Sequence, residues 1–169
     1  MPQGSRGDQG ASWARYAPRM GTLGRIARRF GYRGWHQFTQ THVRAYRASR
    51  GRIGRTYKGA PVLLLDHVGR KSGKRMTSPL IYGEDGDNLV LVASFGGAPR
   101  DPFWWPNLKA NPETTVNVYG DVRRVRARQA TPAEKARIWP KMVEVYAPYE
   151  DYQRKTSRDI PVVILEPAS

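Results

Sequence analysis

The chain has 169 residues, no cysteine and a formal net charge of +15, which allows one domain with a useful core and excludes a disulfide framework, a thiol nucleophile or a cysteine metal site. No apolar run approaches 18 residues and no apolar signal region opens the chain, so nothing reads as membrane-spanning or exported, which is compatible with the cytoplasm. The charge is uneven. Residues 1–58 carry 13 Lys and Arg against one acid, Asp8, whereas residues 59–169 carry 16 bases and 13 acids; a basic N-terminal arm over 1–58 precedes a nearly balanced body over 59–169.

In chain order, residues 1–12 are Gly-rich and polar and read as disordered. Thr22 can cap a helix in which Leu23, Ile26, Ala27 and Phe30 share one face and Arg25, Arg28 and Arg29 the other. A second helix from Trp35 to Arg47 aligns Trp35, Phe38, His42 and Tyr46 along a stripe, and "RGRIGRT" follows as a linker. From Gly59 the pattern changes to short strands with turn punctuation: Val62–His67, Met76–Tyr82, Leu89–Ser94, Thr114–Tyr119, Val122–Gln129 and Val162–Leu165. Six such strands suggest a small antiparallel barrel. Two helices interrupt it, one opened by Asp101-Pro102 and stopped at Asn111-Pro112, the other opened by the capping box Thr131-Pro132-Ala133-Glu134 and running toward Tyr146.

The segment "GRKSGK", Gly69–Lys74, follows an apolar strand but is not a nucleoside-triphosphate loop. Val68 stands where the first glycine is required, Arg75 holds the Ser/Thr position, and a strand rather than a helix follows. The loop still offers Arg70 and Lys71 to an anion, although a solvated hairpin would carry the same residues. "VASFGG" puts small Ala93 and Ser94 at a strand end, where a flat ring can approach the backbone; an ordinary strand exit would read alike. "DPFWWPNLKANP" gathers Phe103, Trp104 and Trp105 as core or as pocket wall. In "YAPYEDY", spacing by three sends Tyr146, Tyr149 and Tyr152 to one side, as a lid on the barrel or the lining of a substrate cavity.

His36, His42 and His67 have no metal-ligand spacing, Glu84, Asp85 and Asp87 suit a hairpin turn, and no serine-nucleophile elbow precedes a helix. No metal site is expected. Arg124, Arg126 and Arg128 alternate onto one strand face, so with the basic arm a nucleic-acid-binding protein is a competing reading, without any RNA-recognition or helix-turn-helix signature.

Taken in order, "GRKSGK…SPL", "VASFGG", "DPFWWPNLKANP" and "WP…VYAPYEDYQRKTSRDIPVVILEP" resemble the deazaflavin (coenzyme F420)-dependent nitroreductase family over about residues 58–167. The resemblance implies an α+β fold, a split antiparallel β-barrel of the FMN-binding-like kind with helical insertions. It implies hydride transfer from reduced F420 to a quinone, nitroaromatic or activated enone, with FMN or haem in the same barrel as the alternative. The cofactor's phosphate and oligoglutamate tail would meet Arg70, Lys71 and Ser72. The strand Arg75, Met76, Thr77, Ser78, Pro79, Leu80, Ile81 would run beside it, Val92, Ala93, Ser94 and Phe95 would flank the ring, and Phe103, Trp104, Trp105, Pro106 and Asn107 would close the pocket. Tyr146, Tyr149 and Tyr152 would bind substrate, with Ser94 or Tyr149 catalytic. Arg75 and Met76 stand where the family often has Pro-Arg, and Phe95 where some members have lysine. Some relatives associate with membranes, so a peripheral contact through the arm is expected; a dimer is left open.

Overall fold

The run Ala60–Val68 (β2) is apolar without alternation because both of its faces are covered. Leu63 and Leu65 point into the main core, while Leu64 packs outward against Val43 and Tyr46. Those two residues belong to a helix over residues 39–48 (α1). The computed structural model describes residues 39–168, all of which lie in a compact unit beginning at Thr39. The helix expected after Thr22 and the positions Trp35, His36 and Phe38 fall outside the described residues. The Tyr46 hydroxyl reaches Val62 O at 3.1 Å and Asn117 O at 3.3 Å and accepts the Tyr119 amide at 2.9 Å. At the helix's other edge Arg47 pairs with Asp66 on β2.

After a two-residue strand, Thr56–Tyr57 (β1), come β2, Arg75–Asp85 (β3), Asn88–Val92 (β4), Glu113–Val118 (β5), Asp121–Gln129 (β6) and Val162–Pro167 (β7). The order is β1-β2-β3-β4-β7-β6-β5, every pair antiparallel, and β2 also pairs with β5, closing six strands into a barrel. This is the α+β barrel that the strand pattern and the resemblance imply. The six long strands match those read from the sequence to within three residues at any end; β1 begins at Thr56, the last residue of the stretch read as linker.

Alternation divides the apolar residues between two cores. Leu89 and Leu91 of β4, and Val163 and Leu165 of β7, enter the barrel with Leu63, Leu65 and the Trp104–Trp105 pair. Val90, Val92, Val162 and Ile164 point the other way, onto Pro132–Val145 (α3) and Pro148–Arg154 (α4), where Ile138, Met142, Tyr146 and Tyr149 meet them. The expected capping box on α3 is present: Thr131 Oγ1 accepts from Glu134 N and the Glu134 carboxylate accepts from Thr131 N.

Trp104–Ala110 (α2) begins later than Asp101-Pro102 suggests. Asp101 does not cap it, because its carboxylate is bound to Arg158 at 2.9 Å. Asn111 ends it, as expected. Among the described residues no helix is long and apolar enough to cross a membrane.

Candidate active site

β4 accompanies β3 only from Tyr82 to Asp85. From Arg75 to Ile81, β3 pairs with β2 on one side and, among the described residues, with no strand on the other. Met76, Thr77, Pro79, Leu80 and Ile81 are half-buried in a sheet whose neighbouring strands are mostly buried. An unpaired strand edge inside a barrel wall is where a flat molecule can lie against backbone groups. The sequence-predicted residues gather at the two ends of this opening.

At one end lies the β2–β3 turn. Arg70, Lys71, Lys74 and Arg75 are exposed and form no ion pair among the described residues. The barrel's other bases are mostly answered: Arg137 and Lys141 hold Asp85, whose carboxyl falls to about 2, and Arg128 grips Glu134 and Glu166. Arg126 pairs with Glu113. Two of the three arginines that suggested a nucleic-acid face are therefore neutralised. Four cations within six residues, unpaired among the described residues, give the turn a strong local field for an anion.

The turn is shaped from within. Gly69 N donates to Lys74 O at 2.9 Å, Gly73 N to Gly69 O at 2.7 Å, and Lys74 N to Ser72 Oγ at 3.3 Å. Arg70 N donates to Asn107 Oδ1 at 3.1 Å, tying the turn to α2. The amides of Lys71 and Ser72 have no such bond among the described residues and are the ones left for a ligand.

Asn107 leads to a residue that sequence reasoning set aside. Its Nδ2 donates to His67 Nδ1 at 3.1 Å, so the imidazole proton sits on Nε2, which donates to Ser78 Oγ at 3.1 Å. Burial lowers the His67 pKa to about 4 and keeps the ring neutral, as this tautomer requires. His67 occupies the interior position two residues beyond Leu65, with the exposed Phe103 ring 5.5 Å away. The chain Arg70–Asn107–His67–Ser78 thus joins the basic turn, α2 and the β3 edge. Its only signal in the sequence was a polar residue continuing the apolar period of β2.

At the other end, Val92, Ala93 and Ser94 are buried where β4 leaves the sheet. Phe95, Gly96 and Gly97 follow with φ of 46°, 66° and 79°. A left-handed phenylalanine is strained, and such strain concentrates at functional turns. Gly97 has no alternative: a Cβ there would lie 2.6 Å from Tyr152 O. Arg158 clamps the turn, donating to Ala93 O at 3.0 Å, Ser94 O at 2.8 Å and Ala98 O at 2.8 Å besides Asp101. Its guanidinium fork spans acceptors on both flanks of the turn. The Ser94 hydroxyl makes no hydrogen bond among the described residues.

Beside this turn the three tyrosines meet, as their spacing suggests. Ring centroids lie 5.1 Å apart for Tyr146–Tyr149 and 6.3 Å for Tyr146–Tyr152 and Tyr149–Tyr152. The Tyr146 and Tyr152 hydroxyls are 3.3 Å apart. Burial raises the Tyr146 and Tyr149 pKa values far above the usual phenol range. Trp104 and Trp105 are buried in the barrel core, whereas Pro106 is half-buried and Phe103 is exposed. Among the described residues no three His, Asp or Glu side chains are grouped to hold a metal ion.

The sequence profile of the F420H(2)-dependent quinone reductases matches residues 38–167. The chain belongs to that family. A Mycobacterium tuberculosis F420H(2)-dependent quinone reductase is 44% identical over 133 residues, 76% of this chain and 89% of that one. A second protein of that organism is 46% identical over 110 residues, 65% of this chain and 92% of its own length. Among solved structures, an F420-H2 dependent reductase superposes with a TM-score of 0.59 at 41% identity, covering 63% of this chain and 94% of that chain. A domain-swapped dimer superposes with a TM-score of 0.61 at 33% identity, covering 80% and 100%. The family's barrel is thus the one observed here, and the α1 helix lies within the matched span.

Proposed function

We propose that this protein reduces quinones with reduced F420, the deazaflavin lying along the open edge of β3. The observation that carries the reading is the basic turn, four cations without counter-ions among the described residues, fastened by Asn107 to the helix beside that edge. The cofactor's phosphate and oligoglutamate tail form a chain of negative charge that such a turn fits. FMN carries a single phosphate and would leave most of this charge unanswered. When bound, the reduced deazaflavin supplies a hydride from its C5 carbon.

The chain's own residues bind and orient. Arg70, Lys71 and Arg75 hold the anionic tail, with the Lys71 and Ser72 amides as further donors. Ala93, with only a methyl group, lets the ring approach the backbone, and Arg158 keeps the Ser94 segment in place. Ser94 Oγ has a hydrogen to donate to the oxygen that gains charge on the acceptor. Tyr149, held strongly neutral by burial, supports a role as packing wall and hydrogen-bond donor rather than as proton source at neutral pH. Tyr146 and Tyr152 complete the acceptor side.

Mixing the protein with reduced F420 and menadione should restore the oxidised cofactor's absorbance. Absence of turnover with any quinone, nitroaromatic or enone would overturn the reading. We also infer that the basic arm holds the enzyme against the inner face of an anionic membrane, where lipid-dissolved quinone resides, each Lys or Arg near the surface contributing about 1 kcal/mol.

A further inference from the structure

Tyr57 lies on β1, opposite Ala60 across a tight turn. Its phenol oxygen is closed off from solvent and has no hydrogen-bond partner, and no other buried side-chain polar atom among the described residues shares that state. Native proteins seldom leave such a group unpaired, because phenylalanine would fill the same space without the penalty. An orphaned donor is therefore a place to look for a ligand.

Its neighbours say which ligand. The Tyr57 ring packs on the buried cluster that contains Tyr146 and Tyr149, a cluster that Ile81, Trp139 and Tyr152 also border. Its centroid is 6.3 Å from that of Tyr146, at 51°. Ile81 ends the open segment of β3, and the Tyr152 backbone packs on Gly97 in the turn after Ser94. The Tyr146 and Tyr152 hydroxyls already face each other, so of the hydroxyls around this cluster Tyr57 Oη is the fully enclosed one without a partner among the described residues. Burial and the neighbouring Tyr146 raise its pKa, so it keeps its proton at neutral pH. The surroundings are aromatic and apolar, suited to a flat hydrophobic molecule that carries an oxygen acceptor.

We propose that Tyr57 is a further acceptor-binding residue, its phenol O–H donating a hydrogen bond to a carbonyl oxygen of the quinone at the end of the β3 edge. The proposal rests on the reductase reading and adds a selectivity element to it: acceptors whose carbonyl reaches Tyr57 are preferred over equally reducible flat molecules without one.

The test is Tyr57→Phe, assayed with reduced F420 and menadione alongside F420 titration and thermal unfolding. The expected result is a menadione KM raised about tenfold, with F420 affinity unchanged and Tm equal or higher. Wild-type KM and kcat in the variant would overturn the proposal and leave the reductase reading intact. A variant with lower Tm or weakened F420 binding would show the hydroxyl to be structural, and would overturn it too. Wild-type protein without turnover would remove the reductase reading and this proposal together.

Discussion

Arg70 is exposed and reaches the site only through its side chain, its amide being held by Asn107. A contact to a remote anionic tail is equally strong before and during hydride transfer, so losing it weakens binding without slowing chemistry. Arg70→Ala should raise the F420 KM about tenfold while kcat stays within about twofold. The wild-type KM should climb with ionic strength, and less steeply in the variant. Steady-state kinetics at two salt concentrations check both statements, and an equal fall in kcat would place Arg70 at the reacting ring. His67 allows a sharper test. Its folded pKa, about 4, lies below the ordinary 6.5, so the stability it contributes is fully present above pH 6.5 and is lost as pH falls toward 4. The total is about 3 kcal/mol. His67→Gln should therefore be less stable than wild type at pH 7, with the gap shrinking toward pH 4 in denaturant melts. A gap that does not change with pH would mean the imidazole does not titrate in that window.

Among the elements, the turn from Ser94 to Ala98 owes its position to a side chain 60 residues away, Arg158. Lysine keeps the charge but presents three donors from one point and cannot reach Ala93 O, Ser94 O, Ala98 O and Asp101 together. Arg158→Lys should lower stability by about 2 kcal/mol and reduce kcat, because Ser94 is displaced. Thr131→Ala, which removes the α3 cap, should cost about 1 kcal/mol and leave kinetics unchanged. Tm and kcat measured on both variants separate loss of the turn from general loosening; parallel effects would argue against the clamp. The same contrast explains what the sequence made legible. The six long strands were readable because Leu89, Leu91 and Val90, Val92 alternate between two cores, and α3 because its cap is local. The tyrosine cluster was readable for the same reason, a spacing of three. The α2 start was displaced because Asp101 is taken by a residue 57 positions on. The His67–Asn107 bond, between residues 40 apart, leaves no local trace, nor does the two-residue β1 that carries Tyr57.

For the whole molecule, charge and packing divide the chain at different places. Charge changes near residue 58, whereas the compact unit begins at Thr39 and α1 is fastened to the barrel by Tyr46 and Arg47. Residues 1–38 alone hold seven arginines against Asp8, and no lysine. Removing them deletes that charge while leaving α1 and every residue placed at the site. Seven cations at about 1 kcal/mol each, reduced by screening, are enough for reversible attachment to an anionic bilayer but contribute nothing to a soluble substrate. The chain starting at Thr39 should therefore keep its F420 affinity and its turnover of dissolved menadione, and should lose sedimentation with phosphatidylserine vesicles. The full chain's sedimentation should also fall with salt, because its attachment is electrostatic and weakens as ionic strength rises. If the truncated and full chains sediment equally, the arm has no membrane role and its charge needs another partner. If truncation instead abolishes turnover of dissolved menadione, residues 1–38 contribute to the site itself.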